Sequence, residues 1–189
     1  MSTNIITNGI KDYVIEQRRF FHENPELSWQ EFETSKRIRQ ELDKMDIEYE
    51  IVKETGVIGT IKGSKQGKRL GIRADIDALP IKEQSGVAFS SKNDGVMHAC
   101  GHDAHICILL ATAKVLNAMK DKLNGEIKII FQPAEEYIQD SGAKYLSEVE
   151  SIKNLDRIIA LHIWAAIESG KAALRTGHIM ASADTFEIL

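Results

Sequence analysis

Four short segments of the sequence carry side chains that could bind a metal ion and do chemistry. They are Asp75 with Asp77, the stretch His98–His105, the pair Glu135 and Glu136, and His162. Thiolate, imidazole and carboxylate groups are the ligands that zinc takes in proteins, and mixed nitrogen and oxygen ligands also suit manganese, cobalt or nickel. Gly101 separates Cys100 from His102 and permits a tight turn, so both side chains can face one point. The segments together predict a divalent-metal site.

The two adjacent glutamates suggest a division of labour. If Glu136 binds the metal, Glu135 stays free as a general base. A divalent metal lowers the pKa of its bound water to about 7 from about 16 in bulk. A neighbouring carboxylate can take the proton and later pass it to a leaving amine. The pair therefore favours metal-assisted hydrolysis of an amide bond.

Each residue also has an ordinary interpretation when it is taken alone. His162, in an apolar segment, would more often be a hydrogen-bonded core histidine, and the two glutamates would more often be a solvated pair. Cys107 is most simply a buried apolar side chain. Asp75 and Asp77 after a strand could form a turn. Their joint placement beside the dense histidine and cysteine stretch is what favours the metal site.

The helical segments follow from the spacing of apolar residues. A helical pattern covers residues 8–44, and Pro25 divides it into two helices. The second helix is predicted to start near Ser28, with Ser28 and Glu31 as a capping box. Residues 103–120 give the clearest helix, with Asp103 as its predicted N-cap, and residues 142–149 give a short one.

The strand segments alternate with these helices. Residues 49–52 and 57–61 predict an antiparallel pair, and residues 63–68 predict a turn. Further strands are predicted at 69–75, 126–132, 157–163 and 170–175, with a polar loop over 82–96. This order predicts an α/β fold with a mostly parallel central sheet flanked by helices. Three of the four polar segments follow strand ends, where open α/β sheets place their sites.

The composition narrows the function classes. The chain has 189 residues, a formal net charge of −4 and 6% aromatic residues, which disfavours nucleic acid as a partner. Its apolar stretches are too short to span a membrane, and its first residues do not form a secretory signal. Two cysteines and no disulfide framework favour a cytoplasmic protein.

Several motifs resemble those of the amidohydrolase metallopeptidase family, which includes aminoacylases, hippurate hydrolases and auxin-conjugate hydrolases. They are Arg18–Leu27, Arg73–Pro80, Met97–His105, Phe131–Glu136 and Leu161–Trp164. The Cys-Gly-His-Asp stretch is highly specific, and the motifs run in order over nearly the whole chain. The resemblance implies a zinc-peptidase-like catalytic domain acting on small N-acyl amino acids.

The resemblance also implies roles for individual residues. It makes Cys100, His102, Glu136 and His162 metal ligands and Glu135 the general base. It places Asp77 where related peptidases have an aspartate that orients a metal ligand. It implies two divalent metal ions, zinc or manganese, and the ligand types leave cobalt and nickel as further options.

The domain organisation is the remaining expectation. Residues 1–182 are interpreted as an incomplete catalytic domain and residues 183–189 as the start of a lid domain, which in such families often mediates homodimers. The alternatives are a dipeptidase or an N-acetyl-diaminopimelate deacetylase that uses the same site, and an inactive, truncated fragment that only binds metal.

Overall fold

The computed structural model describes residues 9–179, which form helices on both faces of one sheet. The helices are α1 Ile10–Glu23, α2 Phe32–Lys44, α3 His102–Ala118, α4 Gly142–Leu146 and α5 Glu150–Lys153. The strands are β1 Glu48–Val52, β2 Gly56–Lys62, β3 Lys65–Asp75, β4 Asn124–Gln132 and β5 Arg157–Ala160. Single 3-10 turns cover Lys120–Lys122 and Ile138–Asp140. No helix within the described range is long and apolar enough to cross a membrane.

The sheet has the strand order β1-β2-β4-β3-β5. β1 pairs with β2 and β2 with β4 in antiparallel orientation, whereas β3 runs parallel to both β4 and β5. The sheet is therefore mixed, and the parallel part consists of the three strands that precede the predicted site residues. The predicted antiparallel pair and the layered α/β fold are confirmed.

Successive side chains of each strand point to opposite faces of the sheet, so the core has a part on each face. Val57 and Ile61 of β2 pack with the larger core formed with α1, α2 and α3, while Ile58 points to the opposite face. Ile130 of β4 joins Ile58 there and packs against Leu146 of α4. Both faces bury apolar residues, as expected for a sheet covered by helices on each side.

Several predicted boundaries differ from the structure. α2 begins at Phe32 and has no Ser28–Glu31 capping box, because the Glu26 carboxylate accepts from the amides of Glu33 (3.2 Å) and Thr34 (2.8 Å). The N-cap of α3 is Gly101 and not Asp103, so the cap lies two residues earlier than predicted, and Gly101 takes a left-handed backbone there.

The strands show similar differences. β3 starts at Lys65, so most of the predicted turn over 63–68 is strand, with a register irregularity before Arg69. β5 ends at Ala160, so His162 lies beyond the strand. Residues 170–175, predicted as a strand, form none; they are exposed and pair with no other segment of residues 9–179. The expectations for residues 1–8 and for 183–189 fall outside the described range.

Candidate metal centre

The parallel strands bring the predicted site residues to one edge of the sheet. β3 and β4 end side by side, with Asp75 opposite Gln132. Asp77 follows β3, Glu135 and Glu136 follow β4, and His162 follows β5. Because parallel strands end at the same edge, these three connections meet where α3 begins. His102, the first residue of α3, lies at their centre.

The donor atoms of the predicted residues lie close together. Cys100 Sγ is 3.4 Å from His162 Nε2. His102 Nε2 is 3.7 Å from a Glu136 oxygen and 3.8 Å from a Glu135 oxygen. Cys100, His102 and His162 form one group that could hold a metal ion, and His102, Glu135 and Glu136 form a second. His102 belongs to both groups, and because its Nε2 carries one lone pair it could bind one ion at a time.

His102 is held in the tautomer that a metal ligand needs. Its Nδ1 donates to the backbone oxygen of Asp77 at 2.9 Å, which leaves the lone pair of Nε2 free. Both His102 Nε2 and Glu136 Oε1 are buried and have no hydrogen-bond partner. Buried polar atoms rarely stay unpaired without an ion, water or functional reason. A divalent cation between them would satisfy both, so the residues present fit the implied metal centre.

Asp77 contacts the residues around the centre but is not in either donor group. Its Oδ2 accepts from the Ser28 hydroxyl at 2.7 Å and from the Glu136 amide at 3.0 Å. Burial alone would raise the pKa of Asp77, but hydrogen bonds from His102, Ser28 and the Glu136 amide outweigh burial and lower it. Asp77 thus contacts His102 through its backbone oxygen and Glu136 through its carboxylate.

Asp75 and His105 form a supporting pair to which sequence reasoning assigned no role. His105 Nδ1 donates to Asp75 Oδ1 at 2.5 Å, and His105 Nε2 accepts from the Ile163 amide at 3.0 Å. Arg73 binds the other Asp75 oxygen at 2.8 Å. Both His105 nitrogens are thus engaged, and the backbone beside His162 is fixed. The three-residue spacing from His102, one turn along α3, was the available sequence signal.

The negative charges of the centre favour the binding of a cation. Burial, followed by the negative charges of Asp75 and Glu136, raises the pKa of Glu135. Burial, together with Glu136 and Glu135, raises the pKa of Cys100 to about 12. A bound cation reverses these effects because it favours the thiolate and carboxylate forms.

A second polar cluster anchors the start of α3. His22 Nδ1 donates to Asp103 at 2.6 Å, and its Nε2 lies 3.1 Å from Glu83. Arg18 also binds Asp103, at 3.0 Å. The hydrogen bond to Asp103 raises the pKa of His22. Asp103 therefore holds α1 against α3, and His22 links α1 to the loop that contains Glu83.

Known proteins are similar to this chain in sequence and fold. Among curated proteins, thermostable carboxypeptidase 2 of Saccharolobus solfataricus is 47% identical over 182 residues, covering 95% of this chain and 46% of that protein. N-acetylcysteine deacetylase of Bacillus subtilis is 45% identical over 178 residues, covering 93% of this chain and 46% of that protein. The chain thus spans about half the length of these relatives.

Solved structures and a family profile agree with these relatives. The Bacillus subtilis YXEP protein, a dinuclear metal binding peptidase from the M20 family, superposes with a TM-score of 0.78 at 45% identity, over 82% of this chain and 44% of that one. The profile of the Peptidase family M20/M25/M40 matches residues 71–187, the part that contains Asp75 through His162. The chain belongs to peptidase family M20/M25/M40.

Proposed function

We propose that this chain carries the divalent-metal centre of a hydrolase that cleaves the amide bond of N-acyl amino acids. The supporting observation is the convergence of Cys100, His102, Glu136 and His162 around unpaired buried donor atoms, with Glu135 beside them. The similarity to a deacetylase of an N-acetylated amino acid supports the substrate class.

The residues of the centre would have three roles: metal ligand, orienting aspartate and general base. In this proposal Cys100, His102, Glu136 and His162 are the ligands, and Asp77 orients His102 and Glu136. A bound divalent metal would polarise the acyl carbonyl and acidify water. Glu135 keeps 38% of its side chain exposed, whereas Glu136 is less exposed and tied through its amide to Asp77. Glu135 can therefore take a proton from water and return it to the leaving amine.

The ligand types bear on the choice of metal. We propose two divalent ions, zinc or manganese, with cobalt and nickel as further candidates. A thiolate and two imidazoles favour zinc, and the Glu136 carboxylate admits manganese. Competition between these ions for the same chain, followed by elemental analysis, would order them.

A peptidase is the second candidate, because the similarity to a thermostable carboxypeptidase is equally strong. Both functions use the same chemistry and differ in the acyl side of the substrate. A panel of N-acetyl amino acids, dipeptides and N-acetyl-diaminopimelate, given to a protein that contains this chain, separates them. Turnover of dipeptides alone would replace the amidohydrolase proposal, and a protein that binds metal but hydrolyses none of them would be the inactive metal-binding form.

The assignment of the two glutamates is tested by substituting each with glutamine. Glu135→Gln should retain the metal but lose turnover by about 10²–10⁴-fold, because an amide cannot accept the proton. Glu136→Gln should first lose metal affinity. Hydrolysis of an N-acetyl amino acid and metal content are measured for both variants. Near wild-type turnover in Glu135→Gln would exclude its role as the base.

The wider organisation stays part of the proposal. We place residues 1–182 in the catalytic domain and residues 183–189 at the start of a lid that could pair two copies. We also place the protein in the cytoplasm, which is supported by the two cysteines being free.

A further inference from the structure

The segment from Glu26 to Glu31 lies beside the connections that carry the proposed ligands. Leu27 forms a bridge with Ala78, directly after Asp77. Ser28 donates to Asp77, and the Trp29 indole donates to the Asp140 backbone oxygen at 2.8 Å. Ser28 and Glu31 have the spacing of a helix capping box, yet neither caps α2. Glu26 caps it, so their side chains are free for other contacts.

Glu31 is the most buried member of this segment. It is fully buried, and its Oε1 accepts from the amide of Ala134 at 2.8 Å. Its other oxygen is buried without a partner. Burying a carboxyl group opposes folding, and an apolar residue of similar size would avoid that cost. A role outside folding would account for the carboxyl group at this position.

Ala134 is the turn that directs the two glutamates of the centre. It has a φ of 46°, in the left-handed region that residues with a side chain rarely adopt. Its amide is held by Glu31, and its carbonyl accepts from the Gly142 amide at 3.2 Å. Ala134 immediately precedes Glu135 and Glu136, so its backbone angles decide where both carboxylates point.

We propose that Glu31 is a positioning residue of the metal centre, holding the Ala134 turn so that Glu135 and Glu136 face His102. This inference rests on the proposed function, because it assumes that Glu136 binds metal. The competing explanation is that Glu31 only stabilises the fold. Under that explanation, its loss would affect stability and leave metal affinity unchanged once the chain is folded.

The variants separate the acceptor oxygen from the shape of the side chain. Glu31→Gln keeps an acceptor oxygen for the Ala134 amide. Glu31→Met keeps the approximate shape and removes the acceptor. Glu41→Met is the matched control, because Glu41 is a buried glutamate on α2 that binds Tyr13 and Lys44 and belongs to neither donor group.

The measurement is the dissociation constant of Co²⁺ for the 189-residue chain, followed by the cobalt–thiolate absorption band and paired with a thermal unfolding curve. Glu31→Met should weaken Co²⁺ binding by about 10–100-fold, the usual effect of losing a residue that orients metal ligands. Glu31→Gln and Glu41→Met should each stay within about threefold of wild type. Unchanged affinity in a folded Glu31→Met variant, or equal losses in Glu31→Met and Glu31→Gln, would overturn the inference.

Two further arms keep the test decisive. If Glu31→Met does not fold, Glu31→Asp takes its place, because the shorter side chain keeps the carboxyl group but withdraws the acceptor oxygen from Ala134. This variant should lose Co²⁺ affinity, and wild-type affinity would refute the role of Glu31.

A Glu136→Gln arm tests the proposed function separately. If wild type binds no Co²⁺, both proposals fail, whereas if Glu136→Gln weakens binding and the Glu31 variants do not, only the Glu31 inference fails.

Discussion

The two cysteines illustrate how position decides the role of a side chain. Cys100 is partly exposed and lies 3.4 Å from His162. Cys107, two turns further along, is buried, and its thiol donates to the Asp103 backbone oxygen at 2.8 Å. The thiols share one chemistry, but only Cys100 faces other donor atoms.

We expect Cys100→Ala to reduce metal binding sharply and Cys107→Ala to leave it unchanged. A thiolate supplies both charge and a strong metal bond, so the loss of Cys100 should cost at least about tenfold in affinity. Elemental analysis after gel filtration with zinc measures the metal per chain. Equal metal content in wild type and Cys100→Ala would remove Cys100 from the ligand set.

Glu31 predicts a pH dependence of stability. Burial raises its pKa to about 7, against an ordinary value of 4.5, with the Asp77 charge adding to the effect and the Ala134 amide opposing it. A raised pKa favours folding while the group is protonated. The free energy of unfolding should therefore decline as pH rises from about 4.5 to about 7, by on the order of 3 kcal/mol.

Glu31→Gln should remove this decline, because its side chain has no proton to lose. Urea unfolding in the presence of a chelator, at pH 5 and at pH 8, gives the pH slope for wild type and variant. The chelator excludes metal binding as a cause, and all other titrating groups are common to both proteins. Identical slopes would mean that Glu31 has an ordinary pKa in the folded chain.

The connection before α3 is the element on which the site geometry depends. Gly101 has a φ of 85°, and a Cβ atom there would lie 2.3 Å from Ile163 Cδ1. The Ile163 amide is in turn bound by His105, next to His162. The glycine therefore lets the Cys100–His102 turn and the connection after β5 approach each other closely.

Gly101→Ala tests this close approach, with Gly95→Ala as its control. Gly95 has a φ of 78° with no atom near its Cβ position, so alanine there meets only the left-handed strain of about 1–2 kcal/mol. Both variants should lose similar stability, because the end of the Ile163 side chain can move. Only Gly101→Ala should also weaken Co²⁺ binding, by about tenfold. Equal affinity in the two variants would show that the approach is not needed.

At the scale of the whole molecule, the outer edge of β5 is unprotected. β5 is the last strand of the sheet, and within residues 9–179 no strand pairs with its outer side. Ile158 is 57% exposed and Ile159 is 52% exposed, and Leu161 and Trp164 follow with similar exposure. An exposed apolar edge strand is a template for pairing with another chain.

We expect the 189-residue chain to self-associate through this edge. Ile159→Lys should lower the mean mass seen by light scattering, because charge on an edge strand opposes pairing. Phe32→Lys is the control, since Phe32 is 50% exposed on a helix and cannot extend a sheet. A wild-type chain that stays monomeric at high concentration would contradict the expectation.

Much of this architecture follows from the sequence alone. Apolar periodicity predicts the helices and strands, because each element must bury one face. The positions of Asp77, Glu136 and His162 after successive strands predict that they meet, since parallel strands end at one edge. The residue types then indicate a metal. All of these inferences use local spacing and one rule of topology.

Only the tertiary structure decided which partner each polar side chain took. Ser28 and Glu31 have the spacing of a helix capping box, but the Glu26 carboxylate accepts from the first amides of α2. Ser28 binds Asp77 and Glu31 binds Ala134 instead. Asp103 is engaged by His22 from a distant helix. A hydrogen bond goes to whichever partner packing brings within reach, and those partners lie 49 to 103 residues away along the chain. Local pattern holds no information about such distant partners.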